Sequence, residues 1–166
     1  MTTQLIWAQH ESPLGRLTLV SIGAALSGIY FEKHKVGGPP REARPGTDGI
    51  IEAARRQLDE YFAGKRRDFD LPVAPMGTEF QVRIWNALQK IGYGETRTYA
   101  DMAERVGTPK AARAAGAAIG RNPVSIVIPC HRVVGAAGAL TGYAGGVPRK
   151  RALLALERGE ARAPER

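Results

Sequence analysis

The sequence predicts a mixed α/β (α+β) chain: a small N-terminal β-sheet-plus-helix domain, residues 1–75, then a mainly helical C-terminal domain, residues 76–166, with a helix-turn-helix. Three observations carry that expectation. Short β-branched and apolar runs, separated by turn residues, fill the stretch up to Phe31. Apolar residues recur at helical spacing from Ile51 and again from Phe80. Charge divides unevenly, with 10 Lys/Arg against 9 Asp/Glu in residues 1–75 (net +1) and 14 against 7 in residues 76–166 (net +7). With 166 residues and 43% apolar content, the chain can bury one core or two small ones sharing an interface.

In the first half, Gln4 to Ala8, Leu17 to Val20 and Leu26 to Phe31 read as three strands of a meander, broken at Ser12-Pro13-Leu14-Gly15 and at Gly23. Lys35 to Gly49 holds Gly37, Gly38, Pro39, Pro40, Pro45 and Gly46, too many breakers for regular structure. Ile51, Ala54, Leu58 and Tyr61 then mark one face of a helix that Gly64 can end. No convergent chemistry is visible in this half, which reads as a scaffold. Lys65 to Gly77, with Pro72 and Pro75, reads as the linker.

In the second half, Thr78 can cap a helix whose residues Phe80, Ile84, Trp85, Leu88 and Ile91 share a face, ended by Gly92-Tyr93-Gly94. Thr98 and Asp101 form a capping-box pair for a second helix through Val106, with Gly107 as its stop. Thr108-Pro109 is expected to start a third at once, with the proline at the first helical position. That helix, Pro109 to Ile119, is nearly without bulk: Ala111, Ala112, Ala114, Ala115, Gly116, Ala117 and Ala118 surround Lys110 and Arg113. Tight internal packing explains such a composition, and so does close approach to an outside surface. The +7 balance favours the second, because a narrow helix bearing one arginine suits even the DNA minor groove, about 6 Å wide. The basic excess is otherwise a solubilising surface.

Gly120-Arg121-Asn122-Pro123 breaks the third helix, and Ser125 to Ile128 reads as a buried strand delivering Pro129-Cys130-His131-Arg132. Cys130 is the chain's one cysteine. A lone buried cysteine is ordinarily an inert hydrophobe. Here His131 and Arg132 place a base and a cation next to it in sequence, and both lower the cost of the nucleophilic thiolate. Neighbours on a strand point to opposite faces, so a water would relay between the thiol and the imidazole. A carboxylate must hold the imidazole in one tautomer. Beyond Glu104 only Glu157, Glu160 and Glu165 exist, and Glu157 follows Leu153 and Leu154 on the helix Pro148 to Arg158, which makes it the best candidate. Gly135, Gly138, Gly142, Gly145 and Gly146 surround Tyr143, which can stack on a flat ring, or they form a plain hairpin. Gly159 to Arg166 is expected to fray.

Pro129-Cys130-His131-Arg132-Val133, preceded by Asn122-Pro123 and followed by Gly142-Tyr143-Ala144-Gly145-Gly146 and Leu153-Leu154-Ala155-Leu156-Glu157, resembles the O6-alkylguanine-DNA alkyltransferases (methylated-DNA–protein-cysteine methyltransferases) from about Gly77 to Gly159. The resemblance implies a ribonuclease H-like N-terminal domain and a winged helix-turn-helix-like C-terminal one. It implies stoichiometric, irreversible transfer of the alkyl group of O6-alkylguanine, and of O4-alkylthymine, to Cys130. His131 would act as base through a water, Glu157 would orient it, and Asn122 would brace the turn. Arg113 would fill the gap left by the flipped nucleotide, while Tyr99 would press on its 3′ phosphate and protonate the leaving base. Ala112, Ala114, Gly116 and Lys110 would lie along the minor groove of double-stranded DNA, without sequence preference, and Tyr143, Ala144, Val133 and Ile119 would form the substrate pocket. The same likeness implies a monomer and leaves open cooperative self-association on DNA.

Ala144 stands where that family often has serine, so a hydroxyl contact to O6 is lost and only the backbone N–H remains. Some relatives bind zinc in the N-terminal half; one cysteine, with His10, His34 and His131, offers no zinc-ligand spacing, so neither metal nor cofactor is expected. No apolar run approaches the roughly 20 residues of a membrane span. The start, Met-Thr-Thr-Gln-Leu-Ile-Trp, is unlike a signal peptide. A soluble cytoplasmic protein without membrane partners is expected. Two other readings stand beside this one: a winged-helix DNA-binding sensor without transfer activity, against which Cys130 argues, and a Cys-His hydrolase, which leaves the basic helix-turn-helix unexplained.

Overall fold

The structure is a computed structural model and describes residues 4–33 and 38–160. Strands β1 (Ile6–Ser12), β2 (Gly15–Ser21), β3 (Leu26–Phe31) and β4 (Arg44–Pro45) form a sheet in the order β3-β2-β1-β4, followed by helix α1 (Gly49–Phe62). The first three strands pair antiparallel as a meander, and β4 runs parallel to β1. β1 reaches further than the apolar pattern predicts, because Gln9 and Glu11 are exposed while Ala8 and Ser12 are buried, the alternation of a half-covered strand. Leu17, Leu19, Leu26 and Ile29 of the sheet and Ile51, Ala54, Leu58 and Tyr61 of α1 belong to one buried cluster. Asp48 caps α1 by accepting from Ile51 N–H (2.9 Å) and also takes the Ser21 hydroxyl (2.6 Å), which fixes the helix start to the end of β2. The expected loop at Lys35 to Gly49 is irregular apart from β4; its residues 35–37 lie outside the described residues, as does His34.

The second half comprises α2 (Glu79–Leu88), β5 (Arg97–Thr98), α3 (Tyr99–Arg105), α4 (Ala112–Gly120), β6 (Val133–Val134) and α5 (Val147–Glu157), with β5 and β6 parallel. Thr78 with Gln81, and Thr98 with Asp101, form complete capping boxes at α2 and α3. Ile84, Trp85 and Leu88 of α2, Met102 and Ala103 of α3, and Ala115, Ala118 and Ile119 of α4 share the core, and Trp85 Nε1 donates to the Ala118 carbonyl (2.8 Å). Helix α4 begins at Ala112 rather than Pro109. Ala111 N–H donates to Thr108 O (2.8 Å), so Pro109 occupies the second position of a β-turn, a site for which its fixed φ is equally suited. Lys110 therefore sits in the turn ahead of α4. The end of α5 is less frayed than expected: Gly159 N–H donates to Leu156 O and Glu160 N–H to Ala155 O, while residues 161–166 lie outside the described residues.

Two expectations fail for one reason, hydrogen bonding along the outer edge of β3. The linker is a strap rather than a free tether: Leu26 N–H donates to Pro72 O (2.8 Å), Ala74 N–H donates to Leu26 O (2.9 Å), and the Gln57 amide brackets the Asp70 backbone. Ser125 to Ile128 is buried but is not a strand. Only Val124 bridges the sheet, with Ile29 N–H donating to Pro123 O (2.9 Å) and Ser125 N–H to Ile29 O (3.2 Å). The chain then turns sharply, with Val127 N–H on Ser125 O, Ile128 N–H on Val124 O and Ile126 at φ 75°. That conformation costs a β-branched residue on the order of 1–3 kcal/mol and marks a segment over-determined by its surroundings. A continuous apolar run has no periodicity to separate these cases.

Candidate active site

Cys130 opens a 3₁₀ turn, Cys130–Arg132, at the end of that segment. It lies on the wall of a cavity of ≈ 440 Å³ that is closed by Tyr99 from α3, Gly116 and Ile119 from α4, and Thr141 to Ala144 from the glycine-rich loop. This volume is in the range of small-molecule sites. The loop approaches closely because Gly145 has no Cβ: one there would stand 2.6 Å from the Phe31 ring of β3. Tyr143 is buried with its ring edge toward Phe31 (centroids 6.0 Å apart), and Tyr99 and Thr141 share a 2.7 Å hydroxyl hydrogen bond across the cavity. Asn122, 1% exposed, holds the turning segment from inside: its amide donates to Ile128 O (2.8 Å) and its carbonyl accepts from Val124 N–H (3.0 Å).

Burial pushes the Cys130 thiol up to about 11, offset only in part by the Asn122 side chain and the charge of Lys150. This corrects the expectation that Arg132 eases thiolate formation. The Arg132 guanidinium faces away, donating from Nε to Glu157 Oε1 (2.8 Å), from Nη2 to Glu157 Oε2 (3.0 Å) and from Nη1 to Ile91 O (2.6 Å). The cation that acts on the sulfur is Lys150, 1% exposed and 5.9 Å from the Tyr99 ring centroid. Sequence reasoning missed it because Arg149-Lys150-Arg151 reads as a solvated helix start. Its signal was spacing, since Lys150 shares a helical face with Leu153, Leu154 and Glu157.

His131 is fully buried, with Nε2 2.8 Å from Glu157 Oε2 and Nδ1 without a hydrogen-bond partner. Burial raises the Glu157 carboxyl, but hydrogen bonds from His131 and Arg132 and their charges outweigh it and hold Glu157 well below the usual carboxylate range. An ionised carboxylate only accepts, so His131 Nε2 carries the proton and Nδ1 the lone pair. Burial also lowers the His131 pKa, against the opposing pull of Glu157, so the ring is neutral. Two further donors complete the carboxylate: Gly94 N–H (3.3 Å), in a loop whose φ of 80° suits glycine, and Tyr61 Oη (2.6 Å) from α1. Tyr61 was counted only as part of an apolar helix face, and the N-terminal half was read as devoid of chemistry.

The other predicted residues divide between cavity and surface. Arg113 and Ala114 are exposed on α4, Ala112 and Gly116 half-buried beside them, and Lys110 exposed in the preceding turn. Ile119, Tyr143 and Ala144 line the cavity. Val133 is fully buried in β6 with its N–H on Cys130 O, off the cavity wall. Among the described residues, no three His, Cys, Asp or Glu side chains cluster as a metal site requires, and no helix is long and apolar enough to cross a membrane.

Residues 79–159 match the family model of the 6-O-methylguanine DNA methyltransferase DNA binding domain, and residues 5–75 that of its ribonuclease-like domain. The chain is 46% identical over 153 residues to the methylated-DNA–protein-cysteine methyltransferase of Methanosarcina acetivorans, covering 92% of this chain and 98% of that one. It is 47% identical over 151 residues to that of Mycobacterium tuberculosis, covering 91% of each. The crystal structure of Mycobacterium tuberculosis OGT in complex with DNA superposes with a TM-score of 0.87 at 46% identity, over 95% of this chain and 94% of that one. The chain therefore belongs to the 6-O-methylguanine DNA methyltransferase family, and its activity is direct reversal of DNA alkylation by transfer of the alkyl group to a protein cysteine.

Proposed function

We propose that Cys130 is the acceptor and that each molecule reacts once. The sulfur attacks the alkyl carbon on guanine O6; the S–C bond forms as the C–O6 bond breaks, leaving a thioether on the protein. The thiol proton passes through a water to His131 Nδ1 and Tyr99 protonates the leaving guanine; the imidazolium and phenolate left behind return to neutral by proton exchange through solvent, so the net reaction moves one proton from thiol to base. One observation carries this reading: Cys130 lines a cavity of ≈ 440 Å³, and the next residue in the same 3₁₀ turn is a buried histidine whose Nε2 is tied to Glu157 and whose Nδ1 is unpartnered. Burial holds the resting thiol up at about 11, so its proton must leave as the alkyl group reacts.

O6 inside a duplex is out of reach of a fixed thiol, so the nucleotide must rotate out, at a cost of a few kcal/mol. Arg113 fills the space in the stack, Tyr99 contacts the 3′ phosphate, and Tyr143, the Ala144 N–H and Ile119 hold the base. The face of α4 carrying Ala112, Ala114 and Gly116, with Lys110 at its start, lies in the minor groove of double-stranded DNA without sequence preference. Residues 1–75 act as the scaffold and residues 76–166 as the DNA-binding and acceptor part of a cytoplasmic monomer.

Intact mass and peptide mapping after incubation with excess duplex carrying O6-methylguanine test the assignment. A single methyl on Cys130 and no further turnover is the expected result; unchanged mass despite tight binding would favour a non-reacting DNA sensor. Cys130→Ser is expected to lower transfer by at least ~10³-fold and leave duplex affinity within about twofold. Affinity lost to the same extent would make the thiol structural.

A further inference from the structure

We propose that Tyr61, supplied by the N-terminal half, is a positioning residue of the alkyl-transfer relay: its hydroxyl donates to Glu157 Oε2, the oxygen that also holds His131 Nε2, and so sets how strongly Glu157 attracts the imidazole proton. The proposal rests on the reading of Cys130 as acceptor and His131 as base. Oε2 has three partners, Tyr61 Oη at 2.6 Å, His131 Nε2 at 2.8 Å and Arg132 Nη2 at 3.0 Å. A carboxylate oxygen offers about two lone-pair sites, so these donors share its charge and compete for it. Tyr61 is the shortest of the three and the one from outside residues 76–166.

The hydroxyl cannot easily turn elsewhere. Tyr61 is fully buried, and its ring is hemmed in by Phe62 and Phe69 (centroids 5.3 Å away in each case) and Tyr93 (6.2 Å). Burial and the neighbouring Glu157 charge keep the phenol neutral, hence a donor. The charged and titratable groups facing Glu157 are Tyr61 from α1, Tyr93 from the loop after α2, His131 and Arg132 from the 3₁₀ turn, and Tyr143 from the loop before α5; Lys150 of α5 acts on His131, and Arg67 lies 5.2 Å over the Tyr93 ring. Of these, Tyr61 is the neutral side chain other than His131 itself that donates to the oxygen orienting the base. Removing its proton from Oε2 concentrates negative charge there, strengthens the hold on the His131 proton and makes the ring easier to protonate.

The test is the pH dependence of single-turnover alkylation of Cys130 by free O6-benzylguanine, followed by intact mass. With wild type, the rate falls on the acid side as His131 takes up a proton. In Tyr61→Phe this limb is expected to move up by roughly half a pH unit to one unit, so the rate drops several-fold at the acid end and less than about twofold at pH 8. A fluorotyrosine at position 61, a more acidic and stronger donor, is expected to move the limb the other way, and it decides the matter alone should Tyr61→Phe not fold. An unmoved limb in both proteins, or a rate lowered by the same factor at every pH together with a lower Tm, would overturn the proposal and leave Tyr61 a packing residue. Wild type whose Cys130 stays unmodified by a duplex carrying O6-methylguanine would instead overturn the underlying reading, an outcome visible before any variant is compared.

Discussion

Cys130 and Glu157 are both buried, yet their surroundings drive them in opposite protonation directions. Nothing near Cys130 compensates burial fully, so at pH 7 a thiol near 11 holds only ~10⁻⁴ of its population as thiolate. Iodoacetamide labelling at neutral pH is therefore expected to run at least ~100-fold slower than for an exposed cysteine, while the same protein is expected to take up the alkyl group of a duplex carrying O6-methylguanine. Labelling as fast as that of an exposed cysteine would mean an activated resting thiolate. Glu157 is over-supplied with donors, and its folded pKa lies below the ordinary 4.5. Its contribution to stability is complete above about 4.5 and is lost as pH falls from there toward the folded value. Glu157→Gln leaves Arg132 buried without its counter-charge, at a cost of about 3–5 kcal/mol at neutral pH. Urea unfolding should show this penalty shrinking steadily below pH 4.5; a penalty independent of pH would mean that the carboxylate charge is not what the site depends on.

At the scale of elements, α4 is where composition and position agree. Its buried side, Ala115, Ala118 and Ile119, packs on α2 and α3, which leaves Arg113, Ala114 and Ala117 outside. Arg113→Ala is expected to slow repair in a duplex by 10-fold or more, about 1.4 kcal/mol, and to leave the rate with free O6-benzylguanine unchanged. Ala114→Leu should reproduce that split by bulk alone, with little change in Tm. Equal losses on both substrates would place α4's effect in the pocket rather than at the groove. Such elements were legible because their signals are local: the Thr78 cap, the Thr98/Asp101 capping pair, the Gly107 stop and the alanine face can all be read within a few residues. Cys130, His131, Asn122 and Glu157 were legible from one motif-bearing stretch and its helix. Tyr61 and Lys150 were not, because a tyrosine on an apolar helix face and a lysine in a basic run acquire chemistry only from what packs against them. The Ser125 to Ile128 turn and the residue 65–77 strap were hidden for the same reason, since the β3 edge that holds them is distant in sequence.

At the scale of the molecule, several long-range features meet at the site. The outer edge of β3 hydrogen-bonds the segment that delivers Cys130, Phe31 of β3 packs on Gly145 and Tyr143 of the cavity loop, and α1 reaches Glu157 through Tyr61, so the N-terminal half is joined to the site at several points. The net charge of +8, of which +7 lies in residues 76–166, is expected to act on the DNA instead, which separates binding from chemistry in a measurable way. Lys110, Arg113 and Arg121 stand exposed at or beside the ends and outer face of α4. If these three displace counterions, log affinity falls against log salt with a slope of about −2.7, or roughly 40-fold weaker binding to duplex between 50 and 200 mM. The rate with O6-benzylguanine, a neutral molecule entering a cavity between Tyr99 and Tyr143, is expected to stay constant over that range. Fluorescence anisotropy on an undamaged duplex and intact mass with the free base give the two numbers from one preparation. A slope near zero would return the basic excess to a solubilising role and leave groove shape as the basis of DNA recognition, while a salt-dependent reaction with the free base would mean that the fold around Cys130, not the interface, responds to ions.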